Sequence, residues 1–131
     1  MTKTVMDNLT TSMQKLVDDN LKESEEIKAI AEGRSGEAVV VTSQRVFTIN
    51  EGSILQAFDR EEVTGVKLSR VNRVGRFELI VKDPEKYIVH KNKDDCIFSP
   101  DLSRNLVNFP YIKFPAFEAV RDQVKALISK E

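Results

Sequence analysis

The segment that most restricts the fold of this chain is Ala38–Thr42 (AVVVT), a run rich in β-branched residues. Such side chains favour strands over helices, so the run predicts a β-strand. Ser43 and Gln44 separate it from Arg45–Ile49, which is a second run of the same kind. Two strand-like runs joined by two residues indicate a tight antiparallel hairpin. The fold is therefore expected to be built on an antiparallel sheet.

Further short strands are predicted around this hairpin, so residues 25–99 are expected to form a β-rich region. Each is an apolar or β-branched run that ends near Gly, Asn, Asp or Pro. Arg73–Gly75 is predicted as the turn between the two longest of them. The additional strands are Ile27–Ala31, Ile54–Phe58, Val63–Val71, Arg76–Val81, Tyr87–Val89 and Cys96–Phe98.

An amphipathic helix is predicted on each side of the β-rich region. Apolar side chains recur at steps of three and four between Val5 and Leu21, which predicts a helix over residues 5–22. A second apolar stripe, from Phe117 to Ile128, predicts a helix over residues 115–130. Pro115 suits the first turn of that helix, where its missing N–H is not needed. The first helix could pack either on its own sheet or on a neighbouring subunit.

These elements fit one mostly β (α+β) domain over residues 1–131. About seven antiparallel strands are expected to curl into a partly open barrel, because curling removes exposed sheet edges. The C-terminal helix is expected to cover the open end of the barrel core. The N-terminal helix is an addition to that barrel.

Charge and cysteine content narrow the range of functions. The chain has 20 Lys and Arg against 21 Asp and Glu, so it has no global attraction to nucleic acid or to an anionic membrane. Cys96 is the only cysteine, which excludes an internal disulfide. No stretch approaches the roughly 18 uncharged apolar residues of a membrane span. A cytoplasmic protein is expected.

A catalytic site is difficult to assemble from this sequence. His90 is the only histidine, and no motif orients it towards Cys96 as a nucleophilic pair would require. The glycine-rich loops that hold phosphate groups are missing. Glu23, Glu25 and Glu26 are predicted to form a solvated surface run rather than a catalytic pair. We therefore expect a non-enzymatic protein that needs no cofactor or metal.

One local concentration of charge is a candidate anion-binding site. The segment from Val66 to Phe77 contains four cations and no acid. It could attract an anionic membrane or another phosphate-rich surface; alternatively, its charges could be solubilising and pair with Glu61, Glu62 or Glu78. No aromatic residue lies between the cations to stack on bases, so a nucleic-acid partner is not expected. The four cations are Lys67, Arg70, Arg73 and Arg76.

The segments KLVDDNLKESEEIKAIAEG, EAVVVTSQRVFTIN and DREEVTGVKLSRVNRVGRFELIV resemble the bacterial pleckstrin-homology-like (PH-like) domains, in particular the YokE-like group. The resemblance covers about residues 14–82. Thr42 and Arg45 occupy the T-x-x-R positions of its hairpin motif, and Val63 and Val66 form its later apolar pair. The resemblance implies a PH-type barrel, but one fold hosts many functions. We expect the T-x-x-R pair to be structural, with Arg45 holding a turn carbonyl or a carboxylate.

Phosphoinositide binding of the usual PH kind is not expected. Lipid-binding PH domains place several cations around the first hairpin, whereas this chain offers Lys28 and Arg34 with Glu32 and Glu37 close by. The leading hypothesis is therefore an intracellular PH-like module that binds a protein partner or itself, with the N-terminal helix as the contact. The alternative is a peripheral binder of anionic surfaces that uses the four cations of residues 66–77.

Overall fold

The computed structural model describes residues 10–34, 36–50, 54–83 and 105–129. Within these ranges the chain is mostly β and ends in a helix, which confirms the predicted class. Short 3-10 turns lie at Arg60–Glu62 and Tyr111–Lys113. The other elements are α1 (Thr11–Asn20), β1 (Ile27–Glu32), β2 (Ala38–Thr42), β3 (Arg45–Asn50), β4 (Ile54–Asp59), β5 (Val63–Val71), β6 (Val74–Val81), β7 (Leu106–Pro110) and α2 (Phe114–Ser129).

The strands form two antiparallel sheets, in the orders β1-β2-β3-β4 and β5-β6-β7. The predicted hairpin is confirmed, because β2 pairs with β3 up to the Val41–Val46 pair and Ser43 and Gln44 connect them. All five residues of β2 are buried. Burial on both faces of the strand explains why its sequence is continuously apolar rather than alternating.

The main core lies between the inner faces of the two sheets and helix α2. Phe77, Leu79 and Val81 point into it from β6, as their alternation predicted. The apolar stripe of α2 is also confirmed, since Phe117, Val120, Val124 and Leu127 are its buried residues. The Phe117 ring stacks on Phe109 of β7 with centroids 3.9 Å apart.

Helix α1 packs on the outer face of the first sheet and forms a second core there. Met13 and Val17 are fully buried against Ile30, Val40 and Phe47. The buried residues of this helix therefore pack on their own sheet.

Helix α1 covers Thr11–Asn20 of the predicted range of residues 5–22. It begins after Thr10, whose backbone is extended and whose hydroxyl accepts a hydrogen bond from Met13 N at 3.3 Å. This is the usual N-cap arrangement, and it ends the helix on its N-terminal side. At the other end Leu21 is already extended. Residues 1–9 lie outside the described ranges.

The turn between β5 and β6 differs from the prediction. It consists of Asn72 and Arg73, because Val71 pairs directly with Val74. Asn72 has a φ of 57°, a conformation that Asn tolerates better than most residues. Gly75 lies within β6 instead, where the Phe109 ring occupies the space that a side chain would need.

Strand β7 was not predicted, whereas the predicted strands Tyr87–Val89 and Cys96–Phe98 lie outside the described residues. β7 connects the two sheets as well as pairing with β6. On its other side, Arg34 N donates to Asn108 O at 2.8 Å, and Asn108 N donates to Glu37 Oε1 at 2.8 Å. These bonds join the turn between β1 and β2 to the second sheet.

Candidate functional site

Arg45 of the T-x-x-R motif forms a buried ion pair with Glu25, which lies in the segment that follows α1. Arg45 donates through Nε to Glu25 Oε2 at 2.9 Å and through Nη2 to Glu25 Oε1 at 2.6 Å. Its Nη2 also donates to Asn20 O at 2.7 Å. The structural role predicted for Arg45 is thus confirmed, since it holds both a carboxylate and a carbonyl.

Further donors complete the environment of Glu25. The Thr42 hydroxyl donates to Oε2 at 2.5 Å, and Lys22 N donates to Oε1 at 3.0 Å. The Glu25 side chain has no exposed surface, so its assignment to a solvated surface run was wrong. Its partners Thr42 and Arg45 lie far along the chain, and local composition therefore gives no sign of them.

The environment of Glu25 favours its ionised form. Burial alone would raise the pKa of this carboxyl, but hydrogen bonds from Arg45, Thr42 and Lys22 N, together with the Arg45 charge, lower the pKa to about 2. The same contact raises the pKa of Arg45. The pair and its hydrogen bonds therefore hold the β2–β3 turn against the connection between α1 and β1.

The cations around the β1–β2 hairpin are also engaged in ion pairs. Lys28 Nζ lies 3.3 Å from Glu26 Oε1, and Arg34 Nη2 lies 3.2 Å from Glu37 Oε2. Glu37 also accepts the bond from Asn108 N. An anionic headgroup would have to compete with these carboxylates, which agrees with the expectation that this hairpin does not bind one.

The structure separates the four candidate cations Lys67, Arg70, Arg73 and Arg76. Lys67 and Arg76 lie on the outer face of the second sheet, opposite Glu78 and next to Asn108 respectively. Arg70 lies on the other face, opposite Gly75, and Arg73 is in the turn. The four side chains therefore do not form one site.

Arg70 and Arg73 instead lie beside the 3-10 turn at Tyr111–Lys113, a contact that was not predicted from the sequence. The Arg70 guanidinium lies 4.5 Å above the ring of Tyr111, and Tyr111 N donates to Arg73 O at 2.9 Å. Lys113 belongs to the same 3-10 turn as Tyr111. Neither residues 66–77 nor residues 105–117 contain an acid. The local charge is consequently positive.

Exposed apolar side chains accompany these cations. Ile112 is 84% exposed and Val71 is 71% exposed, while Tyr111 and Val74 are 46% and 42% exposed. Their exposure was not predicted from the sequence. Val71 and Val74 flank the β5–β6 turn and are direct cross-strand partners. We call this surface the hairpin-end patch; it consists of Arg70, Val71, Arg73, Val74, Tyr111, Ile112 and Lys113.

Neither a cluster of metal ligands nor a membrane-spanning helix is found in the described ranges. No group of three or more His, Cys, Asp or Glu residues is arranged there to hold a metal ion. Neither helix in those ranges is long and apolar enough to cross a membrane. His90 and Cys96, the two residues considered for a nucleophilic pair, lie outside them.

No protein-family model, curated protein or solved structure matches this chain. The resemblance of residues 14–82 to bacterial PH-like domains therefore stays a prediction.

Proposed function

We propose that this protein is a non-enzymatic, PH-like binding module that attaches to an anionic surface through the hairpin-end patch. Two antiparallel sheets followed by a C-terminal helix agree with the fold that the resemblance implies. Thr42 and Arg45 are engaged in the buried network around Glu25. The motif residues thus maintain the fold, and the exposed surface carries the binding.

The observation that carries this proposal is the coincidence of exposed apolar side chains with cations in two segments that contain no acid. Ile112 and Val71 are the two most exposed large apolar side chains of the described residues. They lie in acid-free segments that also contain Arg70, Arg73 and Lys113. Each cation close to an anionic membrane contributes about 1 kcal/mol. Three cations would together contribute about 3 kcal/mol even though the whole chain is nearly neutral.

Self-association is less well supported than the sequence suggested. The apolar stripe of α1 was its main motivation, and Met13 and Val17 of that stripe are buried in their own domain. The hairpin-end patch would bring like charges together if two copies met through it, which disfavours that contact.

A protein partner is the second candidate, and a groove on the outer face of the second sheet favours it. The groove has a volume of about 270 Å³ and is lined by Ser69, Val71, Val74, Arg76 and Asn108. It offers apolar and hydrogen-bonding groups side by side, as a pocket for a partner side chain requires.

Co-sedimentation with vesicles tests the main proposal. The wild-type chain should bind vesicles of phosphatidylglycerol and phosphatidylcholine at low salt and should not bind phosphatidylcholine alone. Binding should fall steeply between about 0.01 M and about 1 M salt, where the screening length drops from about 30 Å to about 3 Å. Arg70→Glu combined with Arg73→Glu should weaken binding at least about a hundredfold, since two attractions become repulsions.

The matched control combines Lys15→Glu with Lys125→Glu. Both lysines are exposed and lie outside the patch, on α1 and α2, and the change in net charge is the same. The control should retain binding. If the control lost binding as completely as the patch variant, or if the wild type failed to bind at low salt, the anionic-surface proposal would be wrong and a protein partner would be favoured.

A further inference from the structure

We propose that the hairpin-end patch enters the interfacial layer of a lipid bilayer, tip first, with Ile112 and Val71 as inserted side chains. This inference rests on the proposed function and narrows it, because it selects a bilayer among anionic surfaces. A soluble polyanion or a mineral phosphate would pair with the cations but would not bury the apolar side chains.

The outer face of the second sheet changes polarity in steps along its strands. At the turn end, Val71, Val74 and Pro110 are cross-strand neighbours and all are exposed. The next row on the same face is Ser69, Arg76 and Asn108, and the row after that is Lys67, Glu78 and Leu106. The surface therefore runs from apolar to cationic and polar, and then to a row of mixed charge.

The spacing of these rows suits shallow insertion. Strand residues rise about 3.3–3.4 Å each, and every second residue lies on the same face. Successive rows on one face are therefore about 7 Å apart. Amphipathic elements at membrane surfaces bury their apolar side about 5–10 Å into the boundary between headgroups and acyl chains. When the apolar row reaches that depth, Arg76 lies at the level of the headgroups.

The 3-10 turn at Tyr111–Lys113 places a second apolar point beside the first. The hydrogen bond from Tyr111 N to Arg73 O keeps this turn next to the β5–β6 turn. Tyr111 is half-exposed under the Arg70 guanidinium, and tyrosine is enriched where membranes meet water. Ile112, at 84% exposure, is the most exposed large apolar side chain of the described residues.

A single tryptophan reports insertion directly, because the wild-type chain contains none. In Ile112→Trp, phosphatidylglycerol vesicles should shift the emission to shorter wavelength, and brominated acyl chains should quench it. Gln123→Trp is the control, since Gln123 is exposed on α2 and lies roughly 15 Å further along the helix axis. Its emission should not change, although both variants sediment with the vesicles.

The outcomes separate this inference from the proposed function. Sedimentation without quenching at residue 112, or equal quenching at residues 112 and 123, would overturn tip-first insertion and leave surface attachment standing. Absence of sedimentation would overturn both. A single-stranded DNA oligonucleotide that bound as tightly as the vesicles would overturn the selection of a bilayer.

A second variant avoids the bias of an introduced tryptophan. Ile112→Ser combined with Val71→Ser removes two apolar side chains that are already exposed, so the fold should be retained. Partition into anionic vesicles should fall about tenfold or more, and the loss should persist at high salt, where charge is screened. An unchanged partition coefficient would refute insertion.

Discussion

Replacing Glu25 by Gln should destabilise the protein at neutral pH and have little effect near pH 2. The Glu25 side chain has no exposed surface, and its partner Arg45 is 12% exposed. The pKa of Glu25 is about 2 instead of the ordinary 4.5, which corresponds to about 3 kcal/mol of preference for the ionised carboxylate in the folded state. Breaking a buried pair by removing one partner costs about 3–5 kcal/mol. We therefore expect a loss of about 3 kcal/mol at pH 7.

The dependence on pH follows from the direction of the shift. The pKa of Glu25 is lower in the folded state than in the unfolded state. The stabilisation by ionised Glu25 is therefore fully present at pH values above the unfolded-state pKa, and it is lost as the pH falls towards about 2. Near pH 2 about half of the wild-type carboxyl groups are neutral, so most of the stabilisation by the ionised form is already lost. Urea unfolding between pH 7 and pH 2 should show the free energies of wild type and Glu25→Gln converging.

Glu26→Gln is the matched control for this experiment. Glu26 is the next residue, but its side chain is 75% exposed and its pair with Lys28 lies at the surface. Its loss should cost less than about 1 kcal/mol at every pH. A Glu25→Gln effect that was equally small, or that did not change with pH, would refute the assigned role of the Glu25–Arg45 pair.

Two further substitutions test the packing. Gly75→Ala should destabilise the protein by about 1–3 kcal/mol in urea unfolding, because the added methyl would overlap the Phe109 ring. Gly65→Ala is the control and should be nearly neutral, since its methyl would lie 3.6 Å from Ile80. Equal losses of stability in the two variants would contradict the predicted overlap. Met13 is 1% exposed, and Met13→Ala should cost about 2–5 kcal/mol. The unfolding midpoint should not depend on protein concentration, since a dependence would mean that the folded protein self-associates.

The parts of the fold that local pattern determines could be predicted from sequence. The β2–β3 hairpin has the expected bounds to within one residue, because β-branched runs and a two-residue turn specify it without reference to the rest of the chain. The stripe of α2 was equally clear. Strand β7 was missed because Asn108 and Pro110 dilute its apolar pattern, and its pairing with β6 depends on contacts distant in sequence.

The candidate site was predicted only in part, for the same physical reason. Arg70 and Arg73 were identified as cations in an acid-free segment, but their neighbour Tyr111 comes from beyond β7. The turn was placed one residue late, which obscured the pairing of Val71 with Val74. Charge can be counted along the sequence, whereas exposure and proximity are properties of the folded chain.

The hydrogen bond from Tyr111 N to Arg73 O makes the hairpin-end patch a property of the native state alone. An unfolded chain presents the two segments separately, so a ligand of the patch binds the folded form in preference. By mass action such a ligand stabilises its receptor, by about 2.7 kcal/mol at a hundredfold excess over its Kd. Ligand binding at the hairpin-end patch and folding of the junction between the second sheet and α2 are thus linked equilibria. A measurement of either one therefore reports on the other.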